Sequence, residues 1–117
     1  LADRQKKARL GEDLVMESYQ KLGWVILARN YRRPGTEIDL IAQNGSMVAF
    51  IEVKWRKKAK DLAENLLPER KKRALLKGSS LFLSEHPKLL WDALRFDLAV
   101  VHPDGSIDLY DGLELGC

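Results

Sequence analysis

Glu37-Ile38-Asp39-Leu40-Ile41-Ala42-Gln43-Asn44-Gly45-Ser46-Met47-Val48-Ala49-Phe50-Ile51-Glu52-Val53-Lys54 is the stretch on which the fold turns. Residues 37–43 and 47–54 are rich in β-branched and apolar types, and Asn44-Gly45 between them is a strong signal for a tight two-residue hairpin turn. Two antiparallel strands follow. With Asn44 and Gly45 as the central turn residues, Asp39 lies opposite Phe50 and Glu52 is its diagonal neighbour. Moving the turn by one position makes Asp39 and Glu52 direct partners. In either register the period-2 alternation of side chains puts Asp39, Glu52 and Lys54 on one face, and such neighbours are roughly 5–8 Å apart. A bulge would break this reading.

Both strands read as covered on both faces, so these three charges are costly unless they form a site. Two carboxylates at that spacing suit a shared divalent cation. Hard oxygen ligands hold Mg²⁺ or Mn²⁺, and a bound metal polarises a phosphate and acidifies a water. Lys54, two residues beyond Glu52, is placed to orient that water. Charges also alternate with apolar residues on ordinary half-exposed strands, where Glu52 and Lys54 would simply be solvated or cross-strand paired.

Upstream, residues 5–22 carry Ala8, Gly11, Glu12, Val15, Tyr19 and Leu22 at helical spacing. Glu12 is the odd member of that stripe. It either pairs with Arg9 or a neighbouring lysine, or adds a third carboxylate to the strands. Residues 24–28 read as a first strand and residues 30–36, with Arg32, Arg33, Pro34 and Gly35, as a loop at the mouth of the site. After the hairpin, Trp55-Arg56-Lys57-Lys58 opens a basic loop.

The helical period returns over residues 68–85, with Leu75, Leu76, Ser79, Phe82 and Leu83 as its apolar face. Arg70, Lys71, Lys72 and Arg73 crowd its first turns. Residues 95–101 and 107–110 are further strands around the turn at Pro103-Asp104-Gly105-Ser106. The order is α-β-β-β-α-β-β, a mixed β-sheet flanked by α-helices in an α/β layered fold.

At 117 residues and 45% hydrophobic, the sequence has the size and composition of a single domain spanning residues 1–117. The sole cysteine, Cys117, excludes an intrachain disulfide and a cysteine-based zinc site. The two histidines, His86 and His102, each precede a proline in a turn-like context and form no histidine site. Without an apolar run of membrane length or a signal-peptide core, no membrane association is expected and the cytoplasm is the expected compartment. The net charge of +3 hides an asymmetry, because all but one of the 20 Lys and Arg lie in residues 1–88. A polyanionic partner suits that surface.

Gly11-Glu12, Asn30-Tyr31-Arg32, Glu37-Ile38-Asp39-Leu40-Ile41, Glu52-Val53-Lys54-Trp55-Arg56 and the basic start of the second helix resemble the bacterial YraN-type family, UPF0102, itself similar to Holliday-junction resolvases. The resemblance covers nearly the whole chain. Thr36 stands where that family more often has Gly, and Lys72 where it often has Gln.

The resemblance implies a restriction-endonuclease-like fold. It also implies a metal-dependent endonuclease acting on phosphodiester bonds, in DNA of branched form, with a homodimer for paired cuts. Glu12, Asp39, Glu52 and Lys54 match the catalytic positions, with Asp39, Glu52 and Glu12 as metal ligands. Arg32, Arg33, Trp55, Arg56, Lys57, Lys58, Arg70, Lys71, Lys72 and Arg73 are the expected nucleic-acid contacts. A binding module that recognises nucleic acid without cutting it is the alternative.

Overall fold

The computed structural model describes residues 2–56 and 67–115. Its elements are α1 (Ala2–Lys21), β1 (Val25–Arg33), β2 (Thr36–Asn44), β3 (Met47–Trp55), α2 (Glu69–Glu85), β4 (Ala93–Val101) and β5 (Ile107–Tyr110). The strands form one sheet in the order β1-β2-β3-β4-β5. Pairing is antiparallel except between β3 and β4, so the sheet is mixed. The parallel pair needs a crossover, and the segment containing α2 provides it.

The helices lie on opposite faces. Val15 and Tyr19 of α1 pack on Leu40, Ala42, Ala49, Ile51, Ala99 and Val101. Leu75 and Phe82 of α2 pack on Tyr31, Ile38, Ile41, Val48 and Phe50, with Phe82 edge-on to both Tyr31 and Phe50. Central strands sandwiched in this way are apolar on both sides, as β2 and β3 are. Gly78 brings α2 against β2, since a Cβ there would overlap Thr36 Oγ1 and the Ile38 side chain. The Thr36 hydroxyl donates to the Ala74 carbonyl at 2.5 Å.

Several sequence expectations need correction. The hairpin turn is Gly45-Ser46, one position beyond Asn44-Gly45, because Asn44 pairs with Met47. Residues 30–33 continue β1, so the expected loop shrinks to Pro34-Gly35. Tyr31, buried against Phe82 and Ile38, supplies the apolar contact that keeps them in the sheet. Ala8 and Leu22 are exposed because the sheet does not reach the two ends of the α1 stripe, and Leu76 is exposed while Gly78 takes its place on the buried face of α2.

Strict alternation also fails at Asp39. Ile38 packs toward α2 but Leu40 toward α1, so β2 changes faces across a single intervening residue. β1 is irregular alongside it, with a register shift between Ile26 and Ala28 and a left-handed backbone at Asn30 (φ 53°). Asn is the residue type that accepts this conformation most readily after Gly. Pairing of β2 with β3 runs from Asn44↔Met47 to Leu40↔Ile51 and then stops. A cleft opens where it stops.

Candidate functional site: a carboxylate cleft where two strands part

Continuing the β2–β3 register by one step sets Asp39 opposite Glu52. Instead of a backbone rung, the Asp39 carboxylate fills the gap, with Oδ2 accepting the Val53 N–H at 2.8 Å. Glu52 is buried, only 2% exposed. Lys54 Nζ stands 3.1 Å from Glu52 Oε2, and Lys71 Nζ, reaching over from the first turn of α2, stands 3.5 Å from the same oxygen. Burial first, then the Glu52 carboxylate, pushes the Asp39 pKa up to about 7, against the Val53 N–H bond that favours the charged form.

Glu12 enters the same cleft from α1 and adds a smaller repulsion to Asp39. Its carboxylate is held by Arg29 of β1, Nε to Oε1 at 3.3 Å, while Arg29 also pairs with Asp13 at 2.7 Å. The partner of Glu12 is therefore Arg29, across the chain, and not Arg9 or a nearby lysine. Among the described residues no group of three or more His, Cys, Asp or Glu side chains is assembled as a metal cluster. Two adjacent carboxylates are what the cleft offers directly. Mg²⁺ is commonly held by one or two carboxylates with waters and substrate phosphates completing its shell, and burial together with the neighbouring Glu52 disfavours the charged form of Asp39.

The expected nucleic-acid contacts are placed differently from one another. Lys71 belongs to the carboxylate group itself. Arg32 lines the cleft and pairs with Glu37 at 3.3 Å, whereas Arg33 forks onto Glu85 at 2.9 and 3.0 Å and stacks on Tyr31. Lys72 pairs with Glu69, and Arg70 lines a neighbouring chamber. Arg73 is exposed on α2.

Trp55 donates its indole N–H to the Lys7 carbonyl at 2.6 Å, with its ring against Gly11, where a Cβ would come within 2.6 Å of Nε1. Arg56 accepts a contact from His102 Nδ1 at its carbonyl, 3.1 Å away, and lines a separate pocket with Leu10 and Pro103. Lys57 and Lys58 lie outside the described residues. His86 stacks on Phe82 and His102 pairs with Asp108, so neither lines the cleft.

Arg29, which holds Glu12, was missed by the sequence reading, and Asn30, placed there only in a loop at the mouth of the site, lines the cleft from within β1. The signal was present in Ala28-Arg29-Asn30, a polar interruption inside a β-rich run, with Asn where a strand has to break its alternation.

Fold and cleft together define a layered α/β protein with paired acidic residues and two lysines at the point where its central strands part. Residues 11–101 match the model of UPF0102, an uncharacterised protein family. The UPF0102 protein of Azorhizobium caulinodans is 33% identical over 116 residues, covering 95% of this chain and 88% of the relative. A UPF0102 protein of a Synechococcus strain is 35% identical over 107 residues, 90% of this chain and 80% of its own. The UPF0102 protein of Granulibacter bethesdensis is 33% identical over 96 residues, and the match spans 82% of this chain but 60% of that relative. The chain belongs to the UPF0102 family. No helix among the described residues is long and apolar enough to cross a membrane.

Proposed function

We propose that this protein is a metal-dependent endonuclease that hydrolyses phosphodiester bonds in DNA, with branched DNA as the substrate class that its family resemblance favours. The observation that carries the reading is the convergence of Asp39, Glu52, Lys54 and Lys71 in one cleft. Asp39 and Glu52 would hold Mg²⁺ or Mn²⁺, with Glu12 in a supporting position. When bound, the ion supplies charge stabilisation on the phosphate and a more acidic water.

The chain's own groups do the rest. The Val53 N–H fixes the orientation of Asp39, whose carboxylate would be held ionised beside a bound cation. Lys54, anchored on Glu52, positions the attacking water. Lys71 brings a second ammonium from the opposite wall, where negative charge develops on the phosphate. Paired cuts in a branched substrate need two such sites, which a homodimer would provide.

Cleavage of labelled four-way junction, flap, single-stranded and duplex DNA with Mg²⁺ or Mn²⁺ tests the proposal. Metal-dependent cutting by the intact protein that disappears in Glu52→Ala supports it. Cutting that survives the substitution points to a contaminant, and none by either protein sinks the enzyme reading.

One observation favours a second reading, a non-catalytic nucleic-acid-binding module. Two lysines already balance Glu52 without a metal. That reading predicts salt-sensitive DNA binding by both proteins and no cutting.

A further inference from the structure

Residues 5–10 of α1 stand clear of the core under the sheet. Residues 5–10 are all exposed, and burial begins only at Gly11 and Glu12. An overhanging helix would ordinarily fray. This one is propped by two side chains that add bonds to helix carbonyls, Trp55 to Lys7 at 2.6 Å and Arg29 to Arg9 at 3.2 Å. Gly11 is what lets the Trp55 ring close against the helix.

The propped face borders a groove. Gln5, Ala8, Arg9 and Glu12, at helical spacing, line a chamber of about 360 Å³ together with Asn30 and Arg32. That chamber shares Ala8, Glu12, Asn30 and Arg32 with the carboxylate cleft of about 230 Å³. The cleft in turn shares Glu37 and Lys71 with a chamber of about 340 Å³ at Arg70. The three form one track across the acidic pair, with a cation at each end.

Among the described residues neither Arg9 nor Arg70 has an ion-pair partner. Arg32, midway along the track, is paired with Glu37. Among the described residues the only aromatic side chain lining the three chambers is Trp55, whose N–H is already engaged. A track with terminal cations and little stacking surface suits a phosphate backbone read without regard to base sequence. Cations on both sides also offset the repulsion that Asp39 and Glu52 exert on a phosphodiester.

We infer that residues 5–10 of α1 form a phosphate-binding arm, with Arg9 and Arg70 gripping one nucleic-acid strand on either side of the Asp39–Glu52 pair. The inference rests on the nucleic-acid reading of the cleft and adds α1 as the second wall of the substrate track.

The test is binding of a labelled blunt DNA duplex by the intact chain, with a chelator present so that nothing is cut, over a series of salt concentrations. Arg9→Gln lowers the slope of log affinity against log salt by about one, and Arg9→Gln combined with Arg70→Gln lowers it by about two. Lys21→Gln, at the far end of α1, leaves the slope unchanged. Because the Arg9 side chain is exposed, its substitution leaves the melting temperature in place.

An Arg9→Gln slope indistinguishable from that of Lys21→Gln overturns the inference, and so does a failure of the intact protein to bind duplex at low salt. Loss of cutting is scored separately with Glu52→Ala. The arm and the catalytic reading therefore fail by different measurements.

Discussion

The sheet carries two acidic centres, and they are opposite in kind. Asp97 on β4 is fully buried and fully provided for. Its carboxylate accepts the Tyr19 hydroxyl at 2.6 Å, Arg95 Nε at 2.9 and 3.2 Å, Arg95 Nη2 at 2.9 Å and the Gly112 N–H at 3.2 Å. Arg95 lies over the Trp24 ring, so the network ties the end of α1, the following turn and the C-terminal stretch to the sheet. Tyr19 holds its proton well above the ordinary range, through burial first and the Asp97 charge second.

Asp39 and Glu52 face each other instead. Asp39 takes a single backbone N–H from the fold, and its remaining electrostatic demand shows in its raised pKa. A buried charge given all its partners organises structure. A half-buried carboxylate set against a second one, without a cation of its own among the described residues, is available to a metal.

That contrast can be broken in several ways, beginning with the largest effect. Glu52→Gln lowers metal-dependent cleavage by about a thousandfold while leaving the protein folded, measured as single-turnover cutting beside a melting curve. Asp97→Ala does the reverse in kind. It leaves the buried Tyr19 hydroxyl without its acceptor and the half-buried Arg95 with only Asp111, and costs about 3 kcal/mol, read from urea unfolding.

Asp39→Asn sharpens the comparison through pH. The folded pKa of Asp39 is raised, so its stabilising contribution is complete below the unfolded value near 4 and is lost as pH rises through about 7. The substitution therefore raises the melting temperature of the metal-free protein by about 5 °C at about pH 8 and leaves it unchanged at about pH 4. It also removes the stabilisation that added Mg²⁺ gives the intact chain. The smallest expected change is Tyr19→Phe, which deletes one of several bonds to Asp97 and costs about 1 kcal/mol by urea unfolding, with no effect on the cleft.

Much of this was legible in the sequence, for identifiable reasons. The apolar runs of β2 and β3 and the turn residues between them are local signals, and they gave the hairpin to within one position. The order of elements followed from periodicity. Asp39 and Glu52 stood out because charges inside doubly covered strands are expensive.

What stayed hidden depends on distant parts of the chain. The turn at Gly45-Ser46 is fixed by the full set of pairings from Leu40 to Met47, which no two-residue preference encodes. The switch of faces at Asp39 answers an irregularity in β1, eight or more residues away in sequence. Arg29 reaches Glu12 from a different element, and Lys71 reaches Glu52 only because α2 crosses over β2 at Gly78. Asp97 was not legible as a structural centre, because beside the local Arg95 its partners Tyr19 and Gly112 come from opposite ends of the chain.

The central claim is that Asp39, set against the lysine-paired Glu52, is poised to share a divalent cation with it. Its most direct test is a carbon-detected NMR titration of the Asp39 carboxyl group, without metal and then with Mg²⁺. The account predicts a metal-free midpoint of about 7 that moves down toward the ordinary carboxylate range when Mg²⁺ is added. A midpoint near 4 in both conditions would contradict it, and would make the pair an ordinary satisfied feature of the sheet.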